Sequence, residues 1–168
     1  CAPLEPPEGT MMPESPFYVT RSADRTIADE QVHPGYTLTI QAPRQMGKSS
    51  LLSRVMQRAR MEGRSIAFVD FQAFGHAVLQ DPDKLYQQFS FLIEDALGLE
   101  PELDRHWSVL LSGLSNCGRF MERRILPACG EKGLLLALDE ADSLLDAPTS
   151  SDFFGMLRRF HVARTQAL

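Results

Sequence analysis

Short β-branched or apolar runs alternate with longer segments of helical periodicity along this chain of 168 residues. Three runs are predicted as strands: residues 36–42, residues 65–71, and residues 134–138, which lead directly into Asp139. The last two are apolar almost throughout, which is typical of parallel strands that helices cover on both faces. Strands that alternate with helices predict an α/β protein with a mostly parallel sheet.

Helices are predicted where capping residues flank the periodic segments. One begins after Gly47 and runs to about Met61, and Gly63 is a candidate for its C-terminal cap. Another begins at Asp81-Pro82, an Asp cap followed by proline, and runs to Gly98. The remaining helical predictions are residues 22–30, a short amphipathic piece within 100–113, a helix capped by Ser115 or Asn116 that runs through Leu126, and a last helix capped by Ser150 or Ser151 over 153–165. Residues 72–80 are predicted as a loop.

Length and composition indicate one globular domain. The apolar fraction is 43% and the charged fraction is 23%, both ordinary for a globular protein of this length. Residues 1–14 are rich in proline and glutamate, so they are predicted as a flexible leader or linker, and residues 15–168 as the folded core.

Charge and residue usage argue against several classes of partner and site. The net charge of −5 disfavours nucleic acid, because phosphate backbones attract a surplus of lysine and arginine. No apolar run approaches the about 20 residues that span a bilayer, so no membrane partner is predicted. The cysteine count is odd, at three, and no C-x-x-C occurs, which favours a reducing cytoplasm. The histidines are scattered, so no structural zinc is predicted.

The segment between the first predicted strand and its helix has the pattern of a phosphate-binding loop. Residues 42–49 read A-P-R-Q-M-G-K-S, which matches G-x-x-x-x-G-K-[ST] except that Ala42 replaces the first glycine. Backbone N–H groups of the loop and the start of the helix are expected to cradle phosphate oxygens. Lys48 would reach the β- and γ-phosphates, and Ser49 would ligate Mg²⁺ through its hydroxyl. The predicted nucleotide-contacting residues here are Ala42, Pro43, Arg44, Gln45, Met46, Gly47, Lys48, Ser49 and Ser50.

Two acidic residues, Asp139 and Glu140, follow the last predicted strand. The carboxyl end of a buried parallel strand is where α/β folds bind their ligands. Many strands end in exposed acids, but the phosphate-binding pattern upstream favours a functional interpretation. Asp139 would hold Mg²⁺, through water, and Glu140 would polarise the water that attacks the γ-phosphate. Glu140 and Lys48 are therefore the predicted catalytic residues.

Four stretches together resemble the bacterial AAA-like domain of STAND-type signalling ATPases: residues 15–21, 42–52, 69–72 and 138–143. The resemblance implies a three-layer P-loop NTPase core of the ASCE/AAA-like kind, which binds ATP with Mg²⁺ inside a larger protein carrying sensor or effector domains. It also implies that Phe17, Tyr18 and Val19 pack on the adenine, although simple core packing explains them equally well. Such sheets contain a further strand after the acidic one, so the core is expected to be incomplete at its C-terminal end.

Three functions remain open at the level of sequence, and a fourth, a DNA-dependent ATPase, is disfavoured by the acidic balance and by the lack of a recognisable nucleic-acid-binding motif. The first is a Mg²⁺-dependent ATPase that acts as a conformational switch, slow in isolation and able to form a nucleotide-dependent homo-oligomer; Arg44, Arg158 and Arg159 are candidates to bridge subunits. The second is a module that binds nucleotide without hydrolysing it. The third is a small-molecule kinase, with Asp70 as the base for its acceptor. ATP is favoured over GTP because the guanine-reading N-K-x-D pattern is absent.

Overall fold

The computed structural model describes residues 37–41 and 46–165. The predictions for the leader, for a helix over residues 22–30, for Phe17, Tyr18 and Val19, and for the loop residues 42–45 fall outside these ranges. None of the helices within them combines the length and the apolar character that a membrane crossing requires.

The described residues form helices around a parallel sheet, which is the predicted α/β class. The two strands are β1 (Ser65–Asp70) and β2 (Leu134–Asp139). Short 3₁₀ turns follow each strand, at Phe71–Ala73 and Ala141–Leu144, and a π-helical turn spans Met121–Ile125. The helices are α1 (Lys48–Met61), α2 (His76–Leu79), α3 (Pro82–Ala96), α4 (Leu103–His106), α5 (Gly113–Phe120), α6 (Leu126–Ala128) and α7 (Ser150–Thr165).

The strands pair in parallel, with Ser65 opposite Leu134 and Asp70 opposite Asp139. Alternate residues of a strand point to opposite faces of its sheet. One face, which includes Val69 and Leu138, joins the main hydrophobic core, and α3 contacts β1 there. The other face contains Ala137 and is approached by α1, which contacts both strands. Helices therefore lie on both faces of the described sheet.

Coverage of the α1 face is less complete than the apolar strands predicted. Phe68, in the middle of β1, is 42% exposed, because α1 covers only part of that face. The opposite face is covered more closely, with Ala67 and Val69 of β1 buried and the leucines of β2 partly buried. There Phe153 of α7 meets Phe89 of α3 edge-on, with ring centroids 5.0 Å apart, and meets Phe71 at 5.5 Å. Such edge-to-face pairs add about 0.5–1.5 kcal/mol each beyond the area they bury.

Two predicted helix boundaries are confirmed by their hydrogen bonds. After α1 the chain turns at Gly63, whose φ of 77° is left-handed, and the N–H of Arg64 donates to the carbonyl of Ala59 at 3.0 Å. At the start of α3, the carboxylate of Asp81 accepts the N–H of Lys84 at 3.2 Å, and Pro82 is the first helical residue. Each boundary follows from local chemistry, which is why the sequence predicts it.

The predicted strand over residues 36–42 is not formed in its described part. Residues 37–41 have no regular secondary structure. Within the described ranges, the sheet consists of β1 and β2 alone, so no ladder of backbone hydrogen bonds defines this segment as a strand.

Four further predictions differ from the structure in detail. The predicted loop over 72–80 contains a 3₁₀ turn and α2, since the buried side chains of Phe74 and Leu79 hold it against the core. The helix expected to start at Ser115 or Asn116 starts earlier, because Ser112 is the cap and accepts the N–H of Ser115 at 3.3 Å.

The last helix and the amphipathic piece also differ from the prediction. Helix α7 begins at Ser150, so Ser150 and Ser151 lie in its first turn, and the N–H of Phe153 donates to the carbonyl of Thr149. The amphipathic piece within 100–113 is helical only in α4, and the apolar residues after it form an exposed turn.

Candidate functional site

Gly47 sets the geometry at the start of α1. Its backbone is left-handed, with φ 73° and ψ 31°, a conformation that costs other residues about 1–2 kcal/mol. Its carbonyl accepts the N–H of Leu51 at 3.1 Å, the first bond of the helix. The first N–H groups of any helix lack intrahelical partners, and the first turn of α1 carries no acidic residue to meet them. This end of α1 is therefore suited to an anion.

The first turn of α1 is joined to the end of β2 by one hydrogen bond. The hydroxyl of Ser49 donates to Oδ2 of Asp139 at 2.8 Å, between residues 90 positions apart in the chain. The other carboxylate oxygen, Oδ1, accepts the backbone N–H of Glu140 at 3.0 Å. Both side chains are half-buried, and a hydrogen bond to a carboxylate is among the stronger kinds. Asp139 is therefore fixed beside the start of α1.

Glu140 has an unusual backbone conformation. Its φ of 50° and ψ of 32° are left-handed, and no other non-glycine residue in the described ranges has a positive φ. The residue links the end of β2 to the 3₁₀ turn that follows. A strained conformation persists only where the surroundings impose it, and such residues cluster at functional sites.

Lys48 and Met46 flank Gly47. Lys48 is the first residue of α1 and is half-buried, and its ammonium group makes no hydrogen bond or ion pair with a described residue. Met46 is exposed, and Ser50 is buried in the first turn of α1. The structure thus brings Gly47, Lys48 and Ser49 to the same place as Asp139 and Glu140.

Asp70 ends β1 directly opposite Asp139. Its carboxylate accepts the N–H of Gln72 at 2.8 Å and so caps the 3₁₀ turn that follows the strand. This bond gives Asp70 a structural role at the carboxyl edge of the sheet. An aspartate directly after an apolar run, whose carboxylate can accept the backbone N–H two residues later, is the sequence signal of such a cap.

The oxygen atoms at this site suit a magnesium ion. Mg²⁺ prefers hard oxygen ligands and usually takes only one or two from the protein, with water and phosphate supplying the rest. The Ser49 hydroxyl and the Asp139 carboxylate provide two such oxygens within 2.8 Å of each other. In the described part of the chain no group of three or more His, Cys, Asp or Glu side chains could form a protein-only cage.

Comparison with known proteins decides the family. The AAA-like domain family matches residues 6–167, almost the whole chain. The chain belongs to the AAA-like domain family. This AAA-like domain is also 29% identical over 157 residues to an uncharacterized WD repeat-containing protein of Synechocystis sp.. The match covers 89% of this chain but only 13% of the relative. No solved structure shows a significant match.

Proposed function

We propose that this AAA-like domain binds ATP with Mg²⁺ and hydrolyses it slowly, as a regulatory switch within a larger protein. The observation that carries the proposal is the 2.8 Å hydrogen bond between Ser49 and Asp139. It joins the start of a helix that suits phosphate to a carboxylate that suits a metal ion. A P-loop NTPase core requires this juxtaposition of elements.

The triphosphate would lie at the start of α1. The left-handed Gly47 allows the backbone to approach the phosphates closely, and the N–H groups at the start of the helix, which have no carbonyl one turn earlier in the helix to bond to, supply donors. Lys48 begins this turn, and no described residue competes for its ammonium group. It would therefore neutralise the β- and γ-phosphates. The remaining proposed contacts are Ala42, Pro43, Arg44, Gln45, Met46 and Ser50, with Phe17, Tyr18 and Val19 on the adenine.

Ser49 and Asp139 would hold the magnesium ion. The hydroxyl of Ser49 donates a hydrogen bond to Asp139, so the lone pairs of the Ser49 oxygen remain available for a cation. Asp139 orients that hydroxyl and would itself contact the ion through water. Bound Mg²⁺ would neutralise negative charge on the phosphates during hydrolysis.

Glu140 would orient the attacking water and accept its proton. Its left-handed backbone directly follows β2, and its N–H donates to the carboxylate of Asp139. A domain that only bound nucleotide would have no use for a strained glutamate at this position, so we favour hydrolysis over simple binding.

The role as a switch rests on the relative. The related Synechocystis protein carries WD repeats, and this domain corresponds to a small part of its length. We propose that the domain likewise works beside sensor or effector domains, in the manner of STAND-type ATPases. The γ-phosphate would then order the loops beside Asp139 and release them after hydrolysis.

Two substitutions separate binding from hydrolysis. Lys48→Ala is expected to weaken ATP binding by about 10–150-fold, since a hydrogen bond to a charged group is worth about 1.5–3 kcal/mol. The matched control is Lys84→Ala, which removes an exposed lysine of α3. Fluorescence titration with a labelled ATP measures both. Unchanged affinity in Lys48→Ala would contradict the phosphate assignment.

Glu140→Gln is expected to retain ATP binding while hydrolysis falls by about 10²–10⁴-fold, the usual contribution of a general base. Phosphate release by the complete protein is the measurement. Equal rates in the wild type and in Glu140→Gln would remove Glu140 as the base. ATP binding without any phosphate release in the wild type would favour the binding-only alternative.

A further inference from the structure

Two hydrogen bonds hold the peptide groups on either side of Glu140. On one side, the N–H of Glu140 donates to Oδ1 of Asp139 at 3.0 Å. On the other side, the carbonyl of Glu140 accepts the N–H of Ser143 at 3.0 Å, in the 3₁₀ turn that follows β2. The angles φ and ψ of a residue are the rotations between its two planar peptide groups. Holding both groups therefore sets the left-handed conformation of Glu140.

The turn after Glu140 is anchored in the core. Leu144, which follows Ser143, is fully buried and belongs to the main hydrophobic core. Its carbonyl accepts the N–H of Ala147 at 3.0 Å. On the side before Glu140, β2 ends at Asp139, so the carboxylate of Asp139 holds the first peptide group beyond the strand.

The same carboxylate also reaches α1. Its second oxygen, Oδ2, accepts the hydroxyl of Ser49 at 2.8 Å, so each oxygen of Asp139 has a different partner. A hydrogen bond to a carboxylate is roughly twice as strong as one between neutral groups. One half-buried side chain thus links the start of α1 to the backbone of Glu140.

The direction of the Glu140 side chain depends on this backbone. Among the residues that the structure describes, none forms a hydrogen bond or an ion pair with the carboxylate of Glu140. The direction of its Cα–Cβ bond changes with φ and ψ. The backbone of Glu140 therefore determines where its carboxylate can reach.

We propose that Asp139 is a positioning residue for Glu140, in addition to its contact with the ion. This inference rests on the proposed function, because it concerns the base for ATP hydrolysis. Oδ1 holds the backbone that directs Glu140, whereas Oδ2 serves Ser49 and the ion. Loss of the carboxylate then impairs hydrolysis twice, and a misplacement of about 1 Å can alone cost about 10²-fold in rate.

Two substitutions separate these roles. Asp139→Asn keeps an oxygen that accepts the N–H of Glu140, and its amide N–H can donate to the hydroxyl of Ser49. It lacks the negative charge that attracts Mg²⁺. Asp139→Ala removes the charge and both hydrogen bonds. The asparagine variant should therefore lose the ion but keep the backbone of Glu140, and the alanine variant should lose both.

Urea unfolding of the full chain without ATP tests the link to the backbone. Because the left-handed conformation favours glycine, the equilibrium constant for unfolding is expected to be about fivefold smaller for Glu140→Gly than for Glu140→Ala. Combination with Asp139→Ala should abolish this difference, and combination with Asp139→Asn should preserve it. The control is Asp142→Ala, at an exposed residue of the same turn, which should also preserve it. A difference that survives Asp139→Ala, or one that Asp139→Asn does not preserve, would overturn the proposal.

Hydrolysis by the complete protein tests the effect on the base. At saturating ATP and Mg²⁺, kcat should be at least about tenfold lower in Asp139→Ala than in Asp139→Asn, because only alanine releases Glu140. In the Glu140→Gln background the two should have the same kcat, since the base is then absent. Equal kcat with Glu140 present, or a difference that persists in Glu140→Gln, would contradict the positioning role. The urea test requires no nucleotide, so it distinguishes a failure of this link from a failure of ATP binding or hydrolysis.

Discussion

Replacing Glu140 by glycine is predicted to stabilise the fold while removing the proposed catalytic base. The reason is the left-handed backbone of Glu140, with φ 50° and ψ 32°. Steric contact between Cβ and the following carbonyl makes this conformation costly for every residue except glycine. A substitution that removes Cβ relieves this cost whatever the side chain does in catalysis.

The size of the effect follows from two opposing terms. The left-handed conformation costs about 1–2 kcal/mol, and glycine removes this cost. Glycine also gives the unfolded chain more freedom, which costs about 0.4–1 kcal/mol. The net gain for Glu140→Gly is about 0.5–1 kcal/mol, or about 1–4 °C in Tm for a domain of this length.

Comparison with alanine isolates the backbone contribution, because Glu140→Ala removes the carboxylate but keeps Cβ. We expect Glu140→Gly to be more stable than Glu140→Ala by about 1 kcal/mol in urea unfolding. The reference position is Gln87, an exposed residue inside α3. There, Gln87→Gly should be less stable than Gln87→Ala by about 1 kcal/mol, because glycine is a poor helix former.

The sign of the difference between glycine and alanine is the decisive quantity. If glycine is no better than alanine at residue 140, the backbone there is not strained and the reasoning fails. If both variants of Glu140 also retain full ATP hydrolysis, its proposed catalytic role fails separately, whatever the stability result.

Two further predictions concern buried polar groups. Glu94 is buried in α3, and its carboxylate accepts the N–H groups of Glu102 and Leu103. Glu94→Ala should therefore lower the free energy of unfolding in urea by about 2–3 kcal/mol, whereas Glu122→Ala, at an exposed residue, should change it by less than about 0.5 kcal/mol. Equal effects of the two substitutions would contradict the anchoring role of Glu94. Burial raises the pKa of Cys117 to about 11 from 9.0, so the folded chain keeps a proton that the unfolded chain loses, and the free energy of unfolding should fall as the pH rises from about 9 to 11. Urea midpoints across this range should decline less in Cys117→Ala, and a parallel decline would refute the assignment.

The sequence predicted those parts of the fold that local chemistry specifies. Helix α1, strand β2 and the start of α3 each have their own periodicity or cap, so their positions agree with the structure within about one residue. The same local signals predicted that the phosphate-binding sequence would lead into α1 and that the acidic pair would follow β2. The hydrogen bond from Ser49 to Asp139 joins these two ends, and their roles in binding remain proposals.

The parts that sequence analysis missed depend on distant contacts. The closely spaced apolar residues at 109–111 suggested a short amphipathic piece. Asn116, in the helix that follows, instead holds residues 108–111 in a turn through hydrogen bonds to the backbone of Ser108. Similarly, nothing in the residue types at 139–141 indicates a left-handed backbone at Glu140. Such features arise only when the surrounding elements have packed, so periodicity and caps cannot reveal them.

The most direct test of the proposed site is the effect of Mg²⁺ on ATP binding, measured by isothermal titration calorimetry. In the wild type, Mg²⁺ should strengthen ATP binding at least about tenfold, equivalent to about 1.4 kcal/mol. Asp139→Asn should abolish this gain, whereas Asp142→Asn, at an exposed residue three positions later, should keep it. A wild type that does not bind ATP, or a gain from Mg²⁺ that survives in Asp139→Asn, would contradict the account.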